Sequence, residues 1–322
     1  MRCHRKLDGR ITSATFCKRE LSVVTTRYVS ESYVSYLELF RPVLNQELVP
    51  QNYDLVVAKE VEGPVSCLVT FSQSSSPCDG FFLATKNGSL NVYDMDEATV
   101  RETSSILNGH NGPVVALDYC SKNKLLFSGG SDGLIKAWDA RCFGRKGEAL
   151  GFVPILSDHC CCITHCGTDD PYKVFVGTQK GYVCLYDTRF HRKDPVEKVS
   201  LPDSISNMFA AATSVLVVST FYQVYEVNLL LARNNILYQN DERVLVGIGS
   251  SHLENNKIQI ADEAKRLLLV DCKTGSLEKD WQLQGKSYWT RVEWHSFLPI
   301  YLASSYKSFE VGVFPSPYNT AY

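Results

Sequence analysis

The sequence repeats one pattern from end to end: an apolar run, a short polar turn and a second alternating run. The clearest copy spans residues 109–141, GHNGPVVALDYCSKNKLLFSGGSDGLIKAWDAR. The residue that follows the third apolar run marks each copy, and the markers are Leu37, Tyr93, Trp138, Tyr186, Tyr225, Val270 and Phe314. Their spacing of 39 to 56 residues is typical of a four-stranded propeller blade. The sequence therefore predicts seven blades.

The length and the two ends of the chain predict one closed domain. With 322 residues and 44% hydrophobic residues, the chain fits a single all-β domain that grows by repeating a unit. The sequence ends soon after the third strand of the seventh copy, so we expect residues 1–7 to supply its outer strand and close the ring, which removes exposed sheet edges. The predicted domain covers 1–322, with blades near 8–61, 62–107, 108–156, 157–200, 201–240, 241–284, and 285–322 plus 1–7.

The third copy resembles the WD-repeat (β-transducin) family, because it keeps the polar residues that this family places inside a blade. The resemblance implies one hydrogen-bonded chain through His110, Ser128, Asp132 and Trp138. Such a chain gives partners to the buried indole and imidazole N–H groups. We interpret these four residues as structural, not catalytic, because Ser128 lies on a buried strand without a nucleophile turn.

Charge and apolar patterning argue against several functional classes. The formal net charge of −2 and the pI near 6.4 predict no direct nucleic-acid binding, which needs a basic domain or patch. The apolar runs are of strand length and the start of the chain has no apolar signal core, so we expect no membrane span. We expect a soluble, cytoplasmic or nuclear protein, without cofactor, that acts as a monomer within a larger complex.

A cysteine-rich segment, HCCCITHC at 159–166, superficially resembles a metal cluster. Strand alternation predicts His159, Cys161, Ile163 and His165 on one face and Cys160, Cys162, Thr164 and Cys166 on the other. Same-face neighbours then stand about 6.5 to 7 Å apart, too far for several of them to reach one zinc ion. We therefore predict no metal site, and interpret the twelve cysteines as small hydrophobic residues of a reducing compartment.

The turns between the second and third strands of the blades predict a binding surface, since in this fold they all project to the top face. Five copies place a cation in these turns, and aromatic residues lie in or beside them. A ring of cations with rigid aromatic groups favours an acidic or phosphorylated peptide. The predicted top rim for partner binding consists of Arg27, Tyr28, Lys86, Lys180, Tyr222, Lys265, Tyr306 and Lys307.

One subgroup resemblance extends over most of the chain. The segments DGRITSATF, HNGPVVALDYC, SGGSDGLIKAWDAR and VFVGTQKGYVCLYDTR look like the mitotic-checkpoint Bub propeller and its relative, the messenger-RNA-export propeller of nuclear pores. The resemblance implies a scaffold that is not an enzyme, binding a short segment of a checkpoint kinase, kinetochore protein or nucleoporin. The chain diverges in its fifth blade, where SISNMFAA at 204–211 lacks the arginines that this subgroup uses.

Two alternatives from other classes stay open. The ending WTRVEWHSFLPIYLASSYKSFEVGVF looks somewhat like the WD-repeat methylesterase of diphthamide synthesis, which is an enzyme. Direct assay of methyl-ester hydrolysis on modified elongation factor distinguishes it from a scaffold. A substrate receptor of ubiquitin ligases is the other alternative, and it normally carries an accessory segment or docking motif beside the propeller.

Overall fold

The computed structural model describes most of the chain. The described residues are 2–17, 21–44, 50–72, 79–95, 99–143, 149–155, 158–166, 170, 172–190, 194–212, 215–240, 242–250, 257–284, 288–294 and 300–313. Within them, all regular structure is β-strand. None of these segments forms a helix with the length and apolarity needed to cross a bilayer. The predicted marker Phe314 lies outside the described residues.

The described strands form seven antiparallel sheets of four strands each. The first described strand is β1 (Arg2–Lys6). Blade 1 consists of β2 (Arg10–Phe16), β3 (Val23–Val29), β4 (Val34–Leu44) and β5 (Pro50–Val61), and blade 2 of β6 (Val65–Ser72), β7 (Asp79–Thr85), β8 (Leu90–Met95) and β9 (Val100–Ile106). Blade 3 consists of β10 (Val114–Cys120), β11 (Leu125–Gly130), β12 (Leu134–Asp139) and β13 (Gly151–Pro154), and blade 4 of β14 (Cys160–His165), β15 (Lys173–Thr178), β16 (Tyr182–Asp187) and β17 (Glu197–Ser200).

The last three blades repeat the same arrangement. They consist of β18 (Asn207–Ala212), β19 (Val215–Ser219), β20 (Gln223–Asn228) and β21 (Arg233–Gln239) in blade 5; β22 (Leu245–Ser250), β23 (Lys257–Asp262), β24 (Arg266–Asp271) and β25 (Leu277–Gln282) in blade 6; and β26 (Arg291–Trp294), β27 (Ile300–Ser304) and β28 (Ser308–Val313) in blade 7. The fourth strand of blade 7 is β1. The prediction of an all-β, seven-bladed propeller is therefore confirmed.

Apolar packing between blades holds the ring together. Each of the seven apolar clusters contains side chains from two neighbouring blades. Second strands such as β11 are buried along their whole length, whereas the outer strand β25 is exposed or half-buried throughout. Burial of one large apolar side chain contributes about 1.5–3 kcal/mol, so each interface between blades stabilises the ring.

Ring closure joins the two ends of the chain. Strand β1 pairs with β28 through five residue pairs, among them Cys3 with Val311. Cys3 and Leu7 are buried in the cluster between blades 7 and 1, where the rings of Phe40 and Phe309 meet with centroids 5.0 Å apart. The predicted closure by the amino-terminal strand is confirmed.

Bulges in the innermost strands correct one sequence expectation. Simple alternation placed Cys160 and Cys162 on the same face of β14, but the pairing of β14 with β15 shifts by one residue between them. Cys160 therefore packs with Ile163 between blades 3 and 4, and Cys162 packs against the cluster between blades 4 and 5. The same shift occurs near the start of the inner strands of blades 1, 2, 3 and 6. Each shift is a β-bulge, which adds an unpaired residue and bends the strand.

Candidate functional site

The four polar residues of blade 3 form one chain of hydrogen bonds. The indole Nε1 of Trp138 donates to Ser128 Oγ at 2.8 Å, and Ser128 Oγ lies 2.7 Å from His110 Nε2. His110 Nδ1 lies 3.0 Å from Asp132 Oδ1. All these groups meet inside the blade, away from the channel cavities, so the geometry fits the structural role that the sequence suggested.

The pKa shifts along this series of hydrogen bonds agree with a neutral His110 imidazole beside an ionised Asp132 carboxylate. Burial lowers the pKa of His110, which outweighs the opposite effect of Asp132. Burial alone would raise the pKa of Asp132, but hydrogen bonds from the Asn111 backbone N–H and from His110 hold it below its usual range. His110 therefore donates from Nδ1 to Asp132 and accepts from the Ser128 hydroxyl.

Three of the eight predicted rim residues lie together at one end of the central channel. Tyr28, Lys86 and Tyr306 line a cavity of about 700 Å³, which we call the channel mouth. Two further cations, Arg10 and Arg291, line the same cavity, and its described lining includes no Asp or Glu. The channel mouth therefore concentrates positive charge, although the whole chain has a formal net charge of −2.

Backbone contacts within blades 1 and 2 and between blades 7 and 1 position this group. Arg10 lies opposite Tyr28 across the β2–β3 pair, and the Arg10 guanidinium lies 5.5 Å from the centre of the Tyr306 ring. The backbone N–H of Ile11 donates to the Tyr306 carbonyl at 3.0 Å, and that of Lys86 donates to the Pro64 carbonyl at 2.8 Å. These contacts place two aromatic rings and two exposed cations around one opening.

The structure corrects the prediction for Lys265, which is buried. Lys265 is the fourth residue of its turn, and glycines occupy this position in three other blades, as Gly88, Gly133 and Gly181. In each of these four turns the backbone N–H of the fourth residue donates to the carbonyl three residues earlier. Lys265 has a φ of 68°, like those glycines. This backbone geometry turns its side chain inwards, where Nζ lies 3.0 Å from Glu310 Oε2. Lys86 and Lys180, at the second and third positions of their turns, stay exposed.

Arg27 is a second correction, because its charge is already paired. Its guanidinium lies 2.7 Å from Glu38 Oε1, with side-chain exposures of 15% and 3%, donates to the carbonyl of Asp8, and stacks 4.7 Å from the centre of the Tyr36 ring. Arg27 therefore braces blade 1 internally and does not present a cation to a partner.

The other three predicted residues are exposed on turns but lie elsewhere on the rim. Lys180, Tyr222 and Lys307 are exposed, and none of them lines the channel mouth. Sequence reasoning missed Arg10 and Arg291, because it compared the turns. A comparison of the inner strands, which line the channel, would have found both.

Near the mouth, each blade has one residue at an equivalent position at the start of its inner strand. In four blades it is a hydroxyl residue that donates to a carbonyl of the second strand: Thr12 to Thr26, Ser66 to Ala84, Ser206 to Ser219 and Thr290 to Ser304, at 3.0–3.2 Å. In blades 3, 4 and 6 the position holds Val115, Cys161 and Val246. The ring is thus polar in some blades and apolar in others.

The channel continues inwards from the mouth as a second cavity, which we call the throat. It has a volume of about 320 Å³ and includes Val115, Cys161, Val246 and Phe221. The mouth and the throat share Val115, Thr290 and Arg291, so the two cavities adjoin each other.

At the far end of the channel, carboxylates link neighbouring blades. Asp118 accepts hydrogen bonds of 2.6 Å from the backbone N–H and from Nδ1 of His165, and Thr15 donates to Glu293 at 2.6 Å. Burial alone would raise the pKa of Asp118, but the bonds from His165 lower it. Asp118 and Glu293 line a cavity of about 230 Å³ that Arg291 also reaches. The channel therefore runs from a cationic mouth to an end that contains carboxylates.

The cysteine-rich segment has no metal-binding arrangement in the part of the chain that the structure describes. No group of three or more His, Cys, Asp or Glu side chains there is placed to hold a metal ion, and none of the described cysteines forms a disulfide bond. Burial raises the pKa of Cys160, Cys161 and Cys162, which disfavours the thiolate that a metal requires.

Comparison with known proteins supports the fold. The family model for the WD domain, G-beta repeat (WD40) matches residues 101–139, which include most of β9 and the first three strands of blade 3. No curated protein sequence matches the chain. Among 1472 matching chains of solved structures, the crystal structure of Chaetomium thermophilum Raptor aligns with a TM-score of 0.74 at 12% identity, over 98% of this chain and 29% of that one.

These findings define the architecture more closely than the function. The chain spans less than a third of the Raptor chain, and at 12% identity the likeness shows the fold alone. The protein is a seven-bladed β-propeller with a WD40 repeat. Propellers of this kind generally act as non-catalytic scaffolds for protein interactions, and the fold alone does not name the partner.

Proposed function

We propose that this WD40-repeat propeller is a non-catalytic platform that binds an acidic or phosphorylated linear segment of a larger protein at the channel mouth. The observation that carries the proposal is the convergence of Arg10, Lys86 and Arg291 on one cavity whose described lining includes no carboxylate. A linear segment fits the narrow opening better than a folded domain does, because only an extended chain presents side chains into a channel.

The aromatic groups add contact surface beside the charges. Tyr306 is 58% exposed, and the Arg10 guanidinium lies over its ring, which holds a rigid aromatic face beside a cation. Tyrosine and arginine are the residue types that dominate binding energy at protein interfaces. Charge-assisted hydrogen bonds contribute about 1.5–3 kcal/mol each, so two or three of them give useful affinity and orientation.

The subgroup resemblance in the sequence supports the same class of ligand. Propellers of the mitotic checkpoint and of messenger-RNA export bind short segments of larger proteins on the top face. Membership of this chain in that subgroup, and its cytoplasmic or nuclear location, form part of the proposal. Co-purification of the full chain from its own cells, followed by mass spectrometry, identifies the complex in which it acts.

Charge reversal tests the proposal. The probes are fluorescein-labelled acidic peptides, their phosphorylated forms and their Asn/Gln counterparts, and binding is measured by fluorescence anisotropy. We expect Lys86→Glu to weaken binding of the acidic peptides at least about tenfold. The matched control is Lys279→Glu, which reverses an exposed cation on the outer strand of blade 6, outside the mouth. Equal binding by both variants and the wild type contradicts the proposal.

A further inference from the structure

We infer that the bound segment is the carboxyl-terminal end of its chain, and that its free α-carboxylate is held in the throat between Arg291 and Asn207. This inference rests on the proposed function and specifies its ligand: acidic or phosphorylated side chains are bound at the mouth, and the last residue of the segment enters the throat. It follows from the polar groups that line the throat and from the carboxylates that lie beyond it.

Arg291 is placed to bind an anion inside the channel. It lines the mouth, the throat and the cavity at the far end, and it is the single charged residue in the described lining of the throat. Arg291 is exposed, and no carboxylate of the described residues forms a salt bridge with it. A guanidinium binds a planar carboxylate through two parallel hydrogen bonds.

Asn207, from blade 5, supplies a second donor. It also lines the throat, and its side-chain Oδ1 accepts a hydrogen bond of 2.8 Å from the backbone N–H of Met208. This bond fixes which end of the amide is the oxygen, so Nδ2 is the group that remains to donate. Among the described residues, none accepts a hydrogen bond from Nδ2. An anion in the throat therefore has one charged and one neutral donor, from two different blades.

The far end of the channel sets how deeply an anion enters. Glu293 follows Arg291 by two residues on β26, which is about 6.5 to 7 Å along the strand. Glu293 and Asp118 both line the cavity at that end. These carboxylates repel an incoming anion, whereas Arg291 attracts it. A carboxylate is therefore most stable beside Arg291, in the throat.

The size and the hydroxyl groups of the throat favour a chain end over an internal segment. An internal segment that enters the throat has to return through the mouth, and a chain reversal needs a turn of four residues. With about 320 Å³, the throat is at the small end of ligand cavities and holds about one or two residues. The hydroxyl proton of Thr290 already bonds to the Ser304 carbonyl at 3.0 Å, so the Thr290 oxygen is an acceptor for the N–H of the last residue.

The test separates the terminal carboxylate from the acidic side chains. Fluorescein-labelled 12-residue peptide pools carry Asp or Asn at three fixed positions and random residues elsewhere. Each pool is made with a free carboxyl terminus and as the terminal amide. A further amide pool has one more Asp at its amino end, which restores the net charge of the acid pool but not its terminal carboxylate. Fluorescence anisotropy measures binding.

Two variants of the full chain assign each effect to a cavity. Asn207→Asp keeps the acceptor for the Met208 N–H, but it removes the Nδ2 donor and adds a negative charge to the throat. The mouth variant is Lys86→Glu, at a position that lines the mouth and not the throat. Circular dichroism checks the fold of both variants, and each preference is taken as a ratio of affinities within one protein.

We expect the Asp pool with a free carboxyl terminus to bind best, about 10- to 100-fold more tightly than its amide. The additional Asp at the amino end should recover only a small part of this difference. Asn207→Asp is expected to lose most of the preference for the free carboxylate, while its preference for Asp over Asn persists.

Two results overturn the inference and leave the proposed function standing, because in both the Asp pools still bind better than the Asn pools. In the first, the acid and amide pools bind equally, or the additional Asp restores binding fully, so that only net charge matters. In the second, Asn207→Asp keeps the full preference for the free carboxylate. If no pool binds, or if Lys86→Glu does not weaken binding of the Asp pools, the proposed function fails and the inference fails with it.

Discussion

The buried ion pair between blades 6 and 7 gives the sharpest test of the structure. Lys265 Nζ lies 3.0 Å from Glu310 Oε2, and the two side chains are 5% and 6% exposed. The Tyr301 hydroxyl donates to the other carboxylate oxygen at 3.0 Å. Removing Lys265 takes this ion-pair partner away from a buried carboxylate, and breaking a buried pair in this way costs about 3–5 kcal/mol. We expect Lys265→Met to lower the free energy of unfolding by that amount.

Two further variants separate the causes. Lys265→Gly also loses the ion pair, but it relieves the positive φ of 68°, which costs a non-glycine residue about 1–2 kcal/mol. It also leaves a cavity where the Met side chain would pack, which costs about 2–5 kcal/mol, so it should be less stable than Lys265→Met by about 1–3 kcal/mol. The double variant Lys265→Met/Glu310→Met removes both charges and should recover most of the loss, because an apolar pair of similar size has no desolvation penalty.

Urea denaturation followed by circular dichroism and tryptophan fluorescence measures these differences. Trp289 reports the site directly, since Lys265 Nζ lies 5.7 Å from the centre of its ring. The control is Lys307→Met, an exposed lysine in the corresponding turn of blade 7, which should change stability by less than about 0.5 kcal/mol. If Lys265→Met also stays within that range, Lys265 is not the buried partner of Glu310 and the inward orientation is refuted.

Three other predictions concern stability and activity. Burial lowers the pKa of His110, so the unfolded chain binds a proton at this imidazole more readily than the folded protein does. The contribution of His110 to stability is therefore complete above the unfolded pKa of about 6.5 and falls as the pH drops below it. Urea denaturation at pH 7 and at pH 5.5 should show a loss of stability that His110→Asn reduces, and an equal loss in both proteins contradicts this. Deleting residues 1–7 removes β1 and the buried Cys3 and Leu7. The deletion should lower the free energy of unfolding by at least about 3 kcal/mol, and thermal unfolding measures the loss. An unchanged unfolding midpoint refutes closure by this strand. The methylesterase alternative predicts hydrolysis of the methyl ester on modified elongation factor, and the well-folded protein should show none; any turnover that depends on the protein contradicts a purely non-catalytic scaffold.

The repeat pattern was enough to predict the architecture, because a blade is a local structure. Each copy contains its own apolar alternation and turn residues, so seven copies predict seven sheets wherever they lie in the ring. The residues implied by the family resemblance, such as Trp138 and Ser128, also come from a single blade. Their hydrogen bond of 2.8 Å depends on the pairing of adjacent strands, which alternation and turns already determine.

The binding surface, in contrast, depends on tertiary structure. Arg10 and Arg291 are 281 positions apart in the sequence and meet only because ring closure places blade 7 beside blade 1. Lys265 and Lys86 look alike as lysines in equivalent turns, yet the backbone φ at one position sends the first into an ion pair and leaves the second in solvent. The channel wall takes residues from all seven repeats, so its chemistry is a property of the closed ring and not of any single blade.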